Sequence, residues 1–300
     1  MSHSAKSDPL AAASLPLFSQ HERLFAQNRF VYPVLSRRSQ GISIGVNLNP
    51  DKVCNFDCIY CQVDRTTTSE TRFVELDSLL AELDAMLSLV PDGSIFALEK
   101  FKNTPAPLRR VNDIAFSGDG EPTTYRNFDE IIQLCADTKR QHGLHDVKMT
   151  LITNASMFHR PHVQRGLAIL DANQGEIWAK LDAGTAEYYQ RVERTVIPFQ
   201  QILDNITAAA QVRPVVIQAL FMRIDNEPPT LAEQQAFCQR LNEMLAAGAA
   251  FKLIQIYTVA RRPAESSVTP LHNAEVDRLV ELVQQKTGLP TVGYYGSAEY

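Results

Sequence analysis

Residues 53–63 read V-C-N-F-D-C-I-Y-C-Q-V, and this stretch decides how the chain is read. Cys54, Cys58 and Cys61 lie within eight residues, with the aromatic Tyr60 just before the last of them. Three thiolates this close converge on one inorganic centre only if the loop folds around it. A tetrahedral zinc site needs a fourth Cys or His, and none lies near this loop in sequence. A [4Fe–4S] cluster normally takes four thiolates, so three local ones imply a cluster with one iron left open to a small molecule. The alternatives are a zinc knuckle, or cysteines serving only as small buried hydrophobes.

Outward from the loop, the 300 residues are 45% hydrophobic and 21% charged, an ordinary globular composition. The net charge of −5 argues against a globally basic nucleic-acid surface, though not against a local patch. Five cysteines, three in one loop, form a metal pattern of a reducing compartment rather than a disulfide framework. Cys135 and Cys238 fall in helical patterns and read as inert buried thiols. No apolar run approaches the ~18 residues of a membrane span, and residues 1–15 lack the features of a secretory signal. The expectation is a cytoplasmic protein with no membrane partner.

Residues 1–20 are small and polar and are expected to be loosely ordered; 21–41 form a lead-in without a clear helix or strand pattern. Over 42–260 strands and helices alternate, the signature of βαβ units. The strands are expected at 42–48, 113–117, 147–153, 176–181, 215–222 and 251–259. Residues 261–300 add a helix at 274–286 and an aromatic tail. Within the strands one face is apolar, as in Ile42, Ile44, Val46 and Leu48, while the other carries Ser43 and Asn47, Thr150 and Asn154, Lys180 and Asp182, Gln218, and Gln255 with Tyr257. A sheet covered by helices on both sides would read as continuous Val/Ile/Leu. The pattern predicts an α/β fold, a (β/α)6 partial barrel with helices outside and a polar lumen inside. Buried polar groups need partners, so the lumen implies a polar ligand.

Active sites of such folds lie at the carboxyl ends of the strands. The cysteine loop follows the first strand, and Gly118-Asp119-Gly120-Glu121-Pro122 follows the second. Glycines allow close backbone approach and positive φ, and a carboxylate can hold an ammonium group; read alone, the segment is a turn. Asn154 ends the third strand as a cap or a ligand contact. Lys180 and Asp182 face the lumen as ligand contacts or as a mutual ion pair. Arg261 and Arg262 follow the sixth strand, as an anion site or a solvated pair.

The Cys-x3-Cys-x2-Cys loop with its aromatic resembles that of the radical S-adenosylmethionine (SAM) enzymes. The resemblance implies a [4Fe–4S] cluster on Cys54, Cys58 and Cys61 whose open iron chelates SAM. Electron transfer from the cluster would cleave SAM to a 5′-deoxyadenosyl radical that abstracts hydrogen from a substrate. It also implies that Gly118, Asp119, Gly120 and Glu121 match the Gly-Gly-Glu segment holding the methionine amino group. Tyr60 would lie by the adenine, and Asn154 near the ribose or carboxylate. The segments 43–62 and 177–194, with Lys180-Leu181-Asp182-Ala183 followed by Thr185, are similar to the branch of wyosine-type tRNA-modifying iron–sulfur oxidoreductases. That similarity implies tRNA as a substrate class. An external donor such as flavodoxin or ferredoxin is expected to supply the electrons. A non-catalytic iron–sulfur or zinc scaffold is the alternative.

Overall fold

The computed structural model of the chain describes residue 25 and residues 27–296. The expectation of a loosely ordered segment at 1–20 lies outside the described residues. The lead-in contains a strand, Val31–Ser36 (β1), paired antiparallel with Gly41–Val46 (β2), Val31 opposite Val46 and Ser36 opposite Gly41. Pattern alone hid β1 because Tyr32, Val34 and Leu35 are buried along with Val31, which leaves no alternation to read.

The chain then alternates. Leu76–Ser88 (α1) leads to Val111–Phe116 (β3), and Phe128–Gln141 (α2) to Lys148–Thr153 (β4). Pro161–Asp171 (α3) precedes Gly175–Lys180 (β5), and Ala186–Glu193 (α4) with Phe199–Val212 (α5) precedes Val215–Leu220 (β6). A short strand, Met222–Ile224 (β7), comes before Leu231–Ala246 (α6) and Phe251–Tyr257 (β8). Val268–Pro270 (β9), Asn273–Thr287 (α7) and Thr291–Tyr294 (β10) complete the described elements. Proline stands at the first position of α3, where its missing N–H costs nothing. Gly288 closes α7 at φ 69°, a left-handed cap that glycine adopts without strain.

The main sheet has eight strands in the order β1-β2-β3-β4-β5-β6-β8-β10, parallel from β2 onward. Its six central strands are each followed by a helix, as the (β/α)6 partial barrel requires. One face packs on the helices through Ile44, Phe116, Leu151, Ile177, Ile217 and Ile256, all buried in one continuous core. The opposite face curves around a cavity of about 330 Å³, lined by side chains from β1 at one edge to β10 at the other. The guanidinium of Arg37, in the β1–β2 turn, donates to the carbonyl of Tyr295 at 2.7 Å. A side chain thereby spans the gap between the two edges. Among the described residues no helix is long and apolar enough to cross a membrane.

Candidate active site

The loop after β2 carries the three cysteines to the carboxyl end of the sheet, and all three line the cavity as half-buried free thiols. Two elements hold it there. The last turn of α4 has carbonyls without helical partners. Glu193 accepts from the backbone N–H of Asp57 at 3.1 Å, and Val192 from that of Ile59 at 2.9 Å. On the other side Asn55 donates to Ser156 Oγ at 2.7 Å and accepts from Asn154 Nδ2 at 2.9 Å. Thr195 Oγ1 donates to the carbonyl of Asn55 at 3.0 Å. Asn154 thus serves as a tie between β4 and the cysteine loop, not as a helix cap; α3 begins after Arg160.

The Gly118–Pro122 loop lies against this loop. Positive φ is not what the glycines provide, since neither Gly118 nor Gly120 adopts it. They are there for room. A Cβ on Gly118 would collide with the Asn47 side chain, and one on Gly120 with the carbonyl of Val53, next to Cys54. Asp119 accepts from Asn47 Nδ2 at 2.7 Å. Glu121 is 2% exposed, and its carboxylate is heavily engaged. Oε1 accepts from Thr123 N at 3.1 Å, from Thr153 Oγ1 at 2.6 Å and from the Thr123 hydroxyl; Oε2 accepts from Asn154 N at 2.7 Å. Burial pushes this carboxyl above its ordinary range, against the pull of those hydrogen bonds.

Below the cysteines a buried polar column crosses the lumen. Lys180 Nζ donates to Tyr60 OH at 2.6 Å, lies 3.2 Å from Asp182 Oδ2 and 3.5 Å from Tyr257 OH, and sits 4.3 Å from the Tyr60 ring centroid. Tyr60 donates to Asp182, whose other oxygen accepts from Leu220 N at 2.7 Å. Lys180 and Asp182 are therefore an ion pair. Burial opposes the Lys180 charge, but Asp182 prevails and holds the ammonium well above its ordinary range. The Tyr60 phenol is raised by burial and then by Asp182, so it remains a neutral donor. Glu193, which sequence reading did not single out, accepts from Cys58 Sγ at 2.6 Å. Burial, then Asp182, pushes its carboxyl up to about 8. The signal for it was spacing: Glu193 lies four residues beyond the buried Tyr189, on the inward face of α4. Asp113 and Arg38 were also passed over, although Asp113 shares parity with Ala115 and Ser117 on the lumen face.

These residues fit a cluster with a polar ligand. Burial first, and near Cys58 also Glu193, keeps Cys54 and Cys58 protonated; a cationic iron centre would drive the deprotonation that ligation requires. Among the described residues no three His, Cys, Asp or Glu side chains are grouped as ligands of one ion. A cluster puts each thiolate on a separate iron and does not require that convergence. In the lumen wall, Thr150 Oγ1 and Gln218 Oε1 are buried without a hydrogen-bond partner among the described residues. Such atoms call for a polar guest. Cys135 and Cys238 are buried in α2 and α6, the former pushed up to about 12 by burial.

A family model described as the Radical SAM superfamily matches residues 48–233. Among curated proteins, a UPF0026 protein of Helicobacter pylori is 27% identical over 217 residues, covering 70% of this chain and 62% of that protein. The GTPase Obg of Brachyspira hyodysenteriae is 28% identical over 179 residues, 58% of this chain but 22% of that protein. The matched part thus spans less than two thirds of these relatives' own length. Among solved structures, a radical SAM methyltransferase from Sphaerobacter thermophilus superposes with a TM-score of 0.61 at 12% identity, over 88% of this chain and 69% of that one. Streptococcus suis SuiB bound to S-adenosylmethionine gives 0.55 at 13% identity, over 86% of this chain and 52% of that one. At these identities the likeness is one of fold.

Proposed function

Because the chain belongs to the radical SAM superfamily, we propose that it is an enzyme that cleaves SAM reductively and abstracts hydrogen from a small organic substrate held in its lumen. The observation that carries the reading is a loop of three half-buried thiols opening onto a polar lumen with unpartnered buried acceptors. Cys54, Cys58 and Cys61 would hold a [4Fe–4S] cluster, which with SAM bound would supply one-electron cleavage chemistry.

The chain's own residues bind, orient and exclude water. Gly118–Glu121 and Asn154 form the wall beside the cysteines, where they can contact SAM. Tyr60 and Asp182 hold the Lys180 ammonium in place, so Lys180 acts as a fixed cation and not as a base. Leu220 and Ile152 line the cavity with apolar surface that keeps water from a reactive radical. Val53, beside Cys54, is 62% exposed, which leaves the outer side of the loop open to an external electron donor such as flavodoxin or ferredoxin.

The similarity of 43–62 and 177–194 to wyosine-type tRNA enzymes makes RNA the second substrate class. Phosphate binding needs free cations. Arg194 is paired with Glu265 at 2.6 Å, Arg191 with Asp225 at 3.5 Å, and Lys180 is inside the lumen. With these three engaged, the unpartnered polar lining of the lumen among the described residues favours a small molecule.

The test is anaerobic reconstitution with iron and sulfide, which should load about four irons per chain. Replacing Cys54, Cys58 or Cys61 by Ala should abolish loading, and Cys135→Ala or Cys238→Ala should not. The loaded protein, given SAM and a reductant, should release 5′-deoxyadenosine, faster with a small-molecule extract fraction than with RNA. Stoichiometric zinc without iron would sink the enzyme reading; stimulation by RNA alone would reverse the choice of substrate.

A further inference from the structure

The β1–β2 turn lies at the end of the sheet opposite the cysteine loop, because β2 starts there and runs toward the cysteines. From it Arg38 reaches into the lumen. Its guanidinium lies 5.0 Å from the ring centroid of Tyr257 and 5.7 Å from that of Trp178, and it lines the same cavity as the three cysteines. Among the described residues this guanidinium makes no ion pair. Arg37 next to it is spent on the Tyr295 carbonyl. Two aromatic rings flank the Arg38 guanidinium by cation–π contact, while among the described residues its N–H donors have no acceptor, which is how an oxyanion clamp is preorganised.

The surroundings specify the guest further. Tyr257 OH lies 3.5 Å from Lys180 Nζ, so a second cation stands at the far side of the same ring. The buried Gln218 donates Nε2 to Gln255 at 2.9 Å, but its Oε1 has no partner, and neither has Thr150 Oγ1. An anionic group on Arg38 would leave the guest's body between aromatic rings, within reach of these acceptors. We propose that Arg38, lying over the rings of Trp178 and Tyr257, forms the substrate's anion subsite. The ligand class is a small organic carboxylate or phosphate monoester with a hydroxyl or amine to meet the orphaned acceptors. The inference rests on the radical SAM reading only in calling that ligand the substrate.

Trp178 is the single tryptophan of the chain, so its fluorescence reports on this subsite directly. Benzoate, succinate, phenyl phosphate and inorganic phosphate are titrated into the full-length protein at constant ionic strength, with Trp178→Phe as the signal blank. At least one organic anion should give a saturable change. Its dissociation constant should rise about tenfold or more in Arg38→Lys, which loses the planar fork, and binding should vanish in Arg38→Gln. The benzoate and phenyl phosphate arms separate carboxylate from phosphate recognition, and inorganic phosphate tests whether the organic body matters. No saturable change with any of the four, or wild-type affinity in both Arg38 variants, overturns the subsite. Should Arg38→Gln fail to fold, Arg38→Lys decides alone. Iron loading and 5′-deoxyadenosine release are measured on the same wild-type preparation. Arg38-dependent binding without that activity upholds the subsite and removes the enzyme reading; activity with Arg38-independent binding does the reverse.

Discussion

Glu121 carries four hydrogen bonds on one buried carboxylate, and so ties the Gly118–Pro122 loop to Thr123 beyond it and to the end of β4. Glu121→Ala would strand those donors without water, at a cost of at least about 3 kcal/mol in urea unfolding. Glu121→Gln keeps the shape and three of the acceptor contacts, so iron loading should persist. If the carboxylate also meets the SAM ammonium, loss of its charge should weaken SAM about tenfold in a spectroscopic titration of the cluster. Unchanged SAM affinity would make Glu121 a brace alone. Asp113 makes a different prediction. It is buried, accepts from the Ser43 hydroxyl, and burial raises its carboxyl from 3.8 to about 6. The folded state then holds the proton more tightly than the unfolded chain, so this group's stabilising contribution is complete below pH ~4 and is lost as pH rises through ~6. Asp113→Asn should therefore be more stable than wild type at pH 8, by up to about 3 kcal/mol, and the gain should vanish near pH 4. Urea melts of the apo-protein at the two pH values check it; a pH-independent difference would rule out the titration. At this scale strand parity made Ser43, Lys180 and Asp182 legible as lumen residues. It said nothing of the four donors around Glu121, which come from residue 123 and from residues 153 and 154, two segments about 30 residues apart.

Among elements, α4 matters most to the site although it is only eight residues long. Thr185 caps its start by accepting from Tyr188 N at 3.2 Å, and donates its hydroxyl to the buried Glu233 at 2.6 Å. The far end of α4 holds the cysteine loop through the carbonyls of Val192 and Glu193. A helix this short has little stability of its own, so loosening its start should be felt at its end. Thr185→Ala should cost about 1–2 kcal/mol of stability. It should also slow iron loading, read as absorbance of the reconstituting cluster, while Cys238→Ala in the neighbouring α6 should not. Loading at the wild-type rate in Thr185→Ala would show that the loop does not depend on α4. A helix after the strand at 176–181 was legible from the alternation of strands and helices. Its partnership with the cysteine loop was not, because the two segments are about 130 residues apart and share no pattern.

At the scale of the whole molecule, the sheet is a curved wall whose edges approach each other through Arg37 and Tyr295. Curvature turns one polar face into a lumen, and it brings Arg38 from one end of the sheet and Tyr60 from the other onto the column of Lys180 and Tyr257. The amino-acid sequence by itself determined the alternation of strands and helices, the two faces of the six central strands, and the three-thiol loop. Each of these is a property of contiguous residues, carried by spacing and period. Tertiary structure alone decided that Glu193 meets Cys58, that Lys180 is spent on Asp182, that the glycines of 118 and 120 make room for another loop, and that Arg38 lies over two aromatic rings with no ion pair among the described residues. Those outcomes depend on which strands are neighbours and how far the sheet bends, and no local stretch of chain encodes the distance between residues that only folding brings together.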